Sequence, residues 1–266
     1  MKRAIHLMLL FARVSVQNFA AYRFDFFMRL FMSFVQLGAE LVIVYTIFHN
    51  TQSLAGWRWQ HMVVLVGVYR IIAGGIRIYI VPNMRAVLED IREGTLDFVL
   101  LKPVNSQLLV SIREFVFWRF TDILLGGAAA AYGAARLSAH VTWTQVATFA
   151  FMIVAAFTII YALWLALATL GFWFIRVQNI EMVFWNVFEA GRYPVMIYPP
   201  WVQWSLTFLV PLAFITTFPA GMLTGAATTG VPPHTPLLAG VMAVVALFAS
   251  HKFWQFGLKR YSGASA

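Results

Sequence analysis

The 266 residues are 61% hydrophobic and 17% aromatic but only 11% charged, with a formal net charge of +9 and no cysteine. A mean hydropathy of +0.78 places the chain among polytopic membrane proteins and leaves no stretch here for a separate soluble domain. Zero cysteines exclude disulfides, thiolate metal sites and thiol nucleophiles, and basic residues scattered at the ends of apolar runs fit membrane orientation better than nucleic-acid binding.

Residues 3–22 carry Ile5, Leu9, Ala12, Val16, Phe19 and Ala20 on one side, with Arg13, Gln17 and Asn18 interspersed. This pattern predicts an amphipathic helix in the inner interface, or an N-terminal extension of the first span. Arg13, Arg23 and Asp25 interrupt the opening too early for a cleaved signal peptide. A span needs about 20 apolar residues. The first is expected over 24–49 and the second over 59–81, joined by the short polar loop 50–58. Asp25 and Arg29, four apart near the inner end, read as a local ion pair. Glu40 lies deeper, as do Arg70 and Arg77 on the second span. Charges at such depth normally pair or face a water-filled cavity. Counted from the outer ends, Glu40 and Arg70 reach similar depths.

The stretch Val81–Asn105, VPNMRAVLEDIREGTLDFVLLKPVN, cannot lie in lipid. It concentrates Arg85, Glu89, Asp90, Arg92, Glu93, Asp97 and Lys102. Met84, Val87, Leu88 and Ile91 recur at helical spacing, which predicts a short amphipathic helix over 83–93. Asn83 is placed to cap it and Gly94 to end it. Further spans are expected over 115–136 and 143–174. The former contains GGAAAAYGAA, whose small side chains permit close helix approach. Glu114 and Asp122 fall beside Arg113 and Arg119, as a structural charge cluster would.

Beyond Arg176 two readings stand. Hydropathy alone makes 201–227 a span, with 178–198 and its Glu181 and Glu189 at the interface. Pro199, Pro200, Pro211 and Pro219 argue against it, because they cut the segment into pieces too short to span alone. The last span is expected over 236–256. In either version there are six crossings, and the asymmetry of Lys and Arg puts both termini in the cytoplasm. The scattered histidines show no metal-ligand spacing, and no P-loop or nucleophile elbow is present.

Three stretches carry a family resemblance: IREGTLDFVLLKPVN (Ile91–Asn105), RYPVMIYPPW with FLVPLAFITTFPAGML (within Arg192–Leu223), and FWQFGLKRYSGAS (Phe253–Ser265). In order and spacing the chain resembles a bacterial branch of the ABC type-two permeases, the membrane subunits of ATP-driven exporters. The resemblance implies a single all-α transmembrane domain of six helices in the inner membrane. In it 178–198 crosses outward and 199–229 dips back as a re-entrant pair of short helices. It makes 82–106 a coupling loop for a separate ATPase dimer, with Arg85, Val87, Leu88, Glu89, Asp90, Ile91, Glu93, Gly94, Asp97 and Lys102 as the contacting set. ATP and Mg would bind that partner, with no cofactor on this chain, and a second permease, related or identical, would complete the path. Glu40, Arg70, Arg77, Glu181 and Glu189 then become candidates for a polar lining along which a hydrophobic or amphipathic cargo is exported. The rival classes are an intramembrane lipid-modifying enzyme and an ATP-independent secondary transporter. The first needs polar groups converging at one depth. The second usually shows repeats with broken helices in both halves.

Overall fold

The computed structural model describes residues 23–137, 141–174, 180–225 and 229–261. The helix expected over 3–22 lies outside them. The described residues are helical throughout and contain no strand, only an isolated bridge between Leu54 and Trp57. This is the all-α architecture that a lipid environment imposes, because each helix satisfies its own backbone.

Among the described residues four helices are long and apolar enough to cross a bilayer by themselves: Phe27–Asn50, Trp59–Glu93, Trp143–Phe172 and Thr235–Leu258. We call the elements α1 (Arg23–Asn50), α2 (Trp59–Glu93), α3 (Asp97–Leu100), α4 (Ser106–Ile112), α5 (Phe120–Ala135), α6 (Trp143–Thr169), α7 (Ile180–Phe188), α8 (Pro200–Trp204), α9 (Phe218–Thr224) and α10 (Thr235–Leu258). Helix α5 is shorter and is preceded by a 3-10 turn, Phe117–Arg119. A fifth apolar element is broken. Pro200–Leu209 and Ala213–Thr224 meet at a bend of 77°, and Pro211 between them prevents a continuous helix. Residues 180–197 form α7 and then two short 3-10 turns.

Helix α2 is the axis of the fold. At 1.5 Å per residue its 35 residues run about 52 Å, well beyond a hydrocarbon core of about 30 Å. The helix expected to start afresh at Asn83 is therefore the C-terminal continuation of the second span's helix. Pro82 lies within it and lacks the N–H that would bond the Ile78 carbonyl. The helix takes it in by widening to a π-turn over Ile76–Ile80. The freed Ile78 carbonyl instead accepts the Val116 N–H at 3.0 Å. Asn83 is fully buried and caps nothing. Its amide donates to the Tyr79 and Glu114 carbonyls and accepts the Glu114 N–H. Together Pro82 and Asn83 dock the chain entering α5 onto α2.

Helix α5 then packs on α2 with backbones in near contact. A Cβ added to Gly67 would come within 2.5 Å of the Ala130 nitrogen and the Gly126 carbonyl oxygen. One added to Gly133 would meet the Gln60 carbonyl oxygen at 2.8 Å. The small residues of GGAAAAYGAA thus do what small residues do between membrane helices. On its other side α2 meets α6, and the buried arm Ala213–Thr224 wedges between α2 and α6. Helix α10 lies along α6, with Trp254 buried against Phe172. Just before α2, Trp57 is fully buried and donates from its indole to the Thr229 carbonyl. That bond ties the loop before α2 to the turn before α10.

These close approaches make a direct test. Gly67→Ile should push α2 and α5 apart, costing about 1–3 kcal/mol or more, and lower the thermal stability of the purified protein in detergent. Gly127→Ile, where nothing lies within 4 Å of an added Cβ, should unfold close to wild type. Equal effects would mean the two helices do not meet at this face.

Candidate functional site

Polar side chains are expensive within a bilayer, so their convergence marks what the fold is built to hold. Arg70 lies 11 residues into α2, about 16 Å along it from Trp59. Its guanidinium is buried and donates to Glu40 of α1 at 3.0 Å and to Asp122 of α5 at 3.3 Å. It also donates to the Ser33 carbonyl and hydroxyl, each at 3.1 Å, and the Ser33 hydroxyl in turn donates to Asp122. Glu40 and Asp122 would repel each other if Arg70 were absent. A second cation, Arg119, approaches Asp122 at 3.6 Å, which leaves the group formally neutral.

The polar residues continue from this knot toward the inner face. The Arg119 and Arg29 guanidiniums lie over the Trp118 ring at 4.0 and 4.2 Å. Arg77, two turns below Arg70 on α2, lies over Trp185 of α7 at 4.6 Å. Two turns further, Arg85 grips Glu181 of α7 through Nε and Nη2, both at 2.6 Å, and Trp185 donates to the same carboxylate. On the other side of Arg70, Arg192 pairs with Glu189 at 3.3 Å and lies over Tyr69. Helix α7 therefore climbs α2 from Arg85 to Tyr69, laying Glu181, Trp185 and Phe188 along it in turn.

All five residues proposed for a polar lining, Glu40, Arg70, Arg77, Glu181 and Glu189, fall on this spine along α2. Sequence reasoning missed five of its members: Ser33, Tyr69, Trp118, Trp185 and Arg192. It placed Asp122 and Arg119 in a separate structural cluster, and Arg85 only in the loop. The signal was periodicity. Arg70, Arg77 and Arg85 are seven and eight residues apart, one stripe of a helix. Glu181 and Trp185, four apart, share one face of α7, and Arg192 follows in the 3-10 turn after it. Of the pair expected between Asp25 and Arg29, the Asp25 side chain lies outside the described residues.

The inner end of α2 corrects one expectation. Val87 is fully buried, and Leu88 and Ile91 pack on Gly171 at the end of α6. Val87 is therefore covered by the chain itself, whereas Leu88 and Ile91 pack on it and stay half-buried. Asp90 is likewise internal. It pairs with Arg113 at 2.5 Å and accepts the Thr95 hydroxyl. Gly94, with φ of +72°, supplies the left-handed residue that ends α2, and the Thr95 and Leu96 N–H groups return to the Asp90 carbonyl. What stays exposed is Arg85, Glu89, Arg92 and Glu93 on α2 and Lys102 beyond it. Phe98 at 71% and Leu101 at 81% join them.

Two cavities flank the π-turn of α2. One, of about 560 Å3, is apolar and lined by Ile78, Tyr79, Phe120, Phe157 and Tyr161 among others. The other, of about 260 Å3, is lined by Arg77, Arg85, Arg119, Glu181, Trp118 and Trp185, with Val81, Pro82 and Val116. Among the described residues no three His, Asp or Glu side chains cluster as metal ligands would.

The Arg70 knot predicts strong coupling. Removing one member strands a buried charge, at about 3–5 kcal/mol, whereas removing a pair strands less. In a double-mutant cycle of Glu40→Gln with Arg70→Gln, read by thermal unfolding in detergent, the double variant should lose clearly less than the sum of the singles. Additive losses would mean the two do not share a site.

A family model described as ABC-2 family transporter protein matches residues 34–265. No curated protein matches the chain.

Proposed function

This chain belongs to the ABC-2 transporter family, and from that premise we propose that it is the permease subunit of an ATP-driven exporter that moves an amphipathic or hydrophobic cargo outward. Proteins of this family generally work with an ABC ATPase. Here the ATPase would be a dimer on separate chains, binding ATP and Mg, and two permease subunits, identical or related, would enclose the path. The membrane would be the bacterial inner membrane. With six crossings, 178–198 would cross outward and 199–229 would re-enter from outside, and both termini would be cytoplasmic.

The observation that supports the coupling role is the unbroken helix α2. It carries Arg70 and, toward its C-terminal end, Arg85, Glu89, Arg92 and Glu93 on one rod. A push on its inner end reaches Arg70 without passing through a loop. The exposed Phe98 and Leu101, with the exposed charges of Glu89, Glu93 and Lys102 in the same segment, form the anchor for the ATPase. A small apolar core with a charged rim is how such contacts concentrate their energy. ATP binding would close the ATPase dimer and tilt α2 against α1 and α7. The spine would then change partners as the cavity closes inward and opens outward. Hydrolysis would reset it.

Two experiments address this. Phe98→Asp with Leu101→Asp should abolish ATPase co-purification and cargo-stimulated ATP turnover while the subunit inserts at wild-type abundance. Leu88→Asp should instead lower abundance, because Leu88 packs internally. Retained co-purification and stimulation in the double variant would remove the docking role. The absence of cysteine also allows topology to be mapped with an impermeant thiol reagent on whole cells. Ser53→Cys, Pro200→Cys and Gly230→Cys should label from outside, and Asp97→Cys only after permeabilisation. Labelling of Pro200→Cys only after permeabilisation would favour a spanning segment over a re-entrant one.

A further inference from the structure

The 260 Å3 cavity beside the π-turn lies where α2 leaves the hydrocarbon. Arg77 and Arg85 are 18 and 26 residues from Trp59, about 27 and 39 Å along the helix. They therefore bracket the inner edge of a core about 30 Å thick. Three arginines and one glutamate line the cavity, leaving a formal charge of two positives. The Arg85 fork is satisfied by Glu181, which cancels that pair. Arg119 leans on Asp122 only at 3.6 Å and lies within electrostatic reach of Arg77 and Arg29. Among the described residues Arg77 has no carboxylate partner. Its guanidinium is held over the Trp185 ring, and Arg119 over Trp118, so both donor forks are oriented before any ligand arrives. Like charges held this close to a low-dielectric slab call for an anion between them.

We propose that this cavity binds the phosphate group of a membrane amphiphile, with Arg77 and Arg119 as the gripping residues and Trp118 and Trp185 as its walls. Planar guanidinium forks match the oxygens of a phosphate. A singly charged phosphate ester balances the positive charge of Arg77, while Arg119 shares its charge between Asp122 and the ligand. The depth is that of lipid phosphates, and interfacial tryptophans belong there. Glu181 does not repel the ligand as a bare charge, since Arg85 holds both its oxygens. As a statement about cargo this rests on the exporter reading. As a binding site it stands without it.

The test uses the whole purified chain in zwitterionic nanodiscs without any ATPase. Binding is read by quenching of tryptophan fluorescence with brominated lipids and by lipid retention in native mass spectrometry. Phosphatidic acid and phosphatidylglycerol should bind saturably, and diacylglycerol with the same acyl chains should not. Arg77→Gln should weaken phosphatidic acid about tenfold or more, whereas Arg77→Lys, which keeps the charge, should weaken it less. Inorganic phosphate distinguishes the sources. Weak competition by millimolar phosphate supports a lipid headgroup, and competition equal to that of phosphatidic acid overturns the amphiphile in favour of free phosphate. Diacylglycerol binding as tightly as phosphatidic acid to the wild-type chain would overturn the site, whether or not the variants fold. ATPase co-purification decides the exporter reading separately.

Discussion

A guanidinium buried among apolar helices is the constraint on which the arrangement depends. A buried Arg70 needs acceptors around it. Its acceptors come from two other helices, Glu40 and Ser33 of α1 and Asp122 of α5. Three helices must therefore converge at one depth. The backbone approach of α2 and α5 through Gly67, Gly126 and Gly133 brings Asp122 near enough. The two features are complementary, since small residues set the distance and the charges set the register. Apolar packing alone would tolerate a slide by a turn, whereas the Arg70 knot would not.

Below that knot, the helix that holds it is also the one that leaves the membrane. A proline inside a helix usually breaks or kinks it, and here the helix runs on through it. The π-turn over Ile76–Ile80 absorbs the missing N–H, and Val116 takes the orphaned carbonyl. The same accommodation anchors the return chain into α5 and opens cavities on both sides of the turn. Rigidity and ligand space thus arise from one local irregularity, consistent with the frequent presence of π-bulges at functional sites.

The periphery has a different character. Helices α1 and α10 present large apolar side chains outward, among them Phe24, Phe31, Tyr45, Leu237, Val244 and Phe248. In water these would be a liability. Around a membrane bundle they are a surface suited to lipid. The broken arm Ala213–Thr224 is the reverse, buried along its length between α2 and α6. Irregular backbone at membrane depth survives where protein surrounds it.

By itself the sequence determined the class of protein and the positions of its long apolar helices, because hydropathy is a one-dimensional property that the bilayer reads directly. It also determined the depths of Glu40 and Arg70, since helical rise converts residue number into distance, and the small-residue face of α5. Only the tertiary structure decided which groups meet. Whether Asp122 joins Arg70 or stays with Arg119 depends on how α5 is rotated against α2, and no hydropathy window contains that rotation. The continuity of α2 through Pro82 depended on a carbonyl finding Val116, more than thirty residues away. Val87, Leu88 and Ile91 read equally well as an outward anchor or an inward one. Gly171, at the far end of α6, turned them inward, because an apolar stripe records that something covers it and not what does.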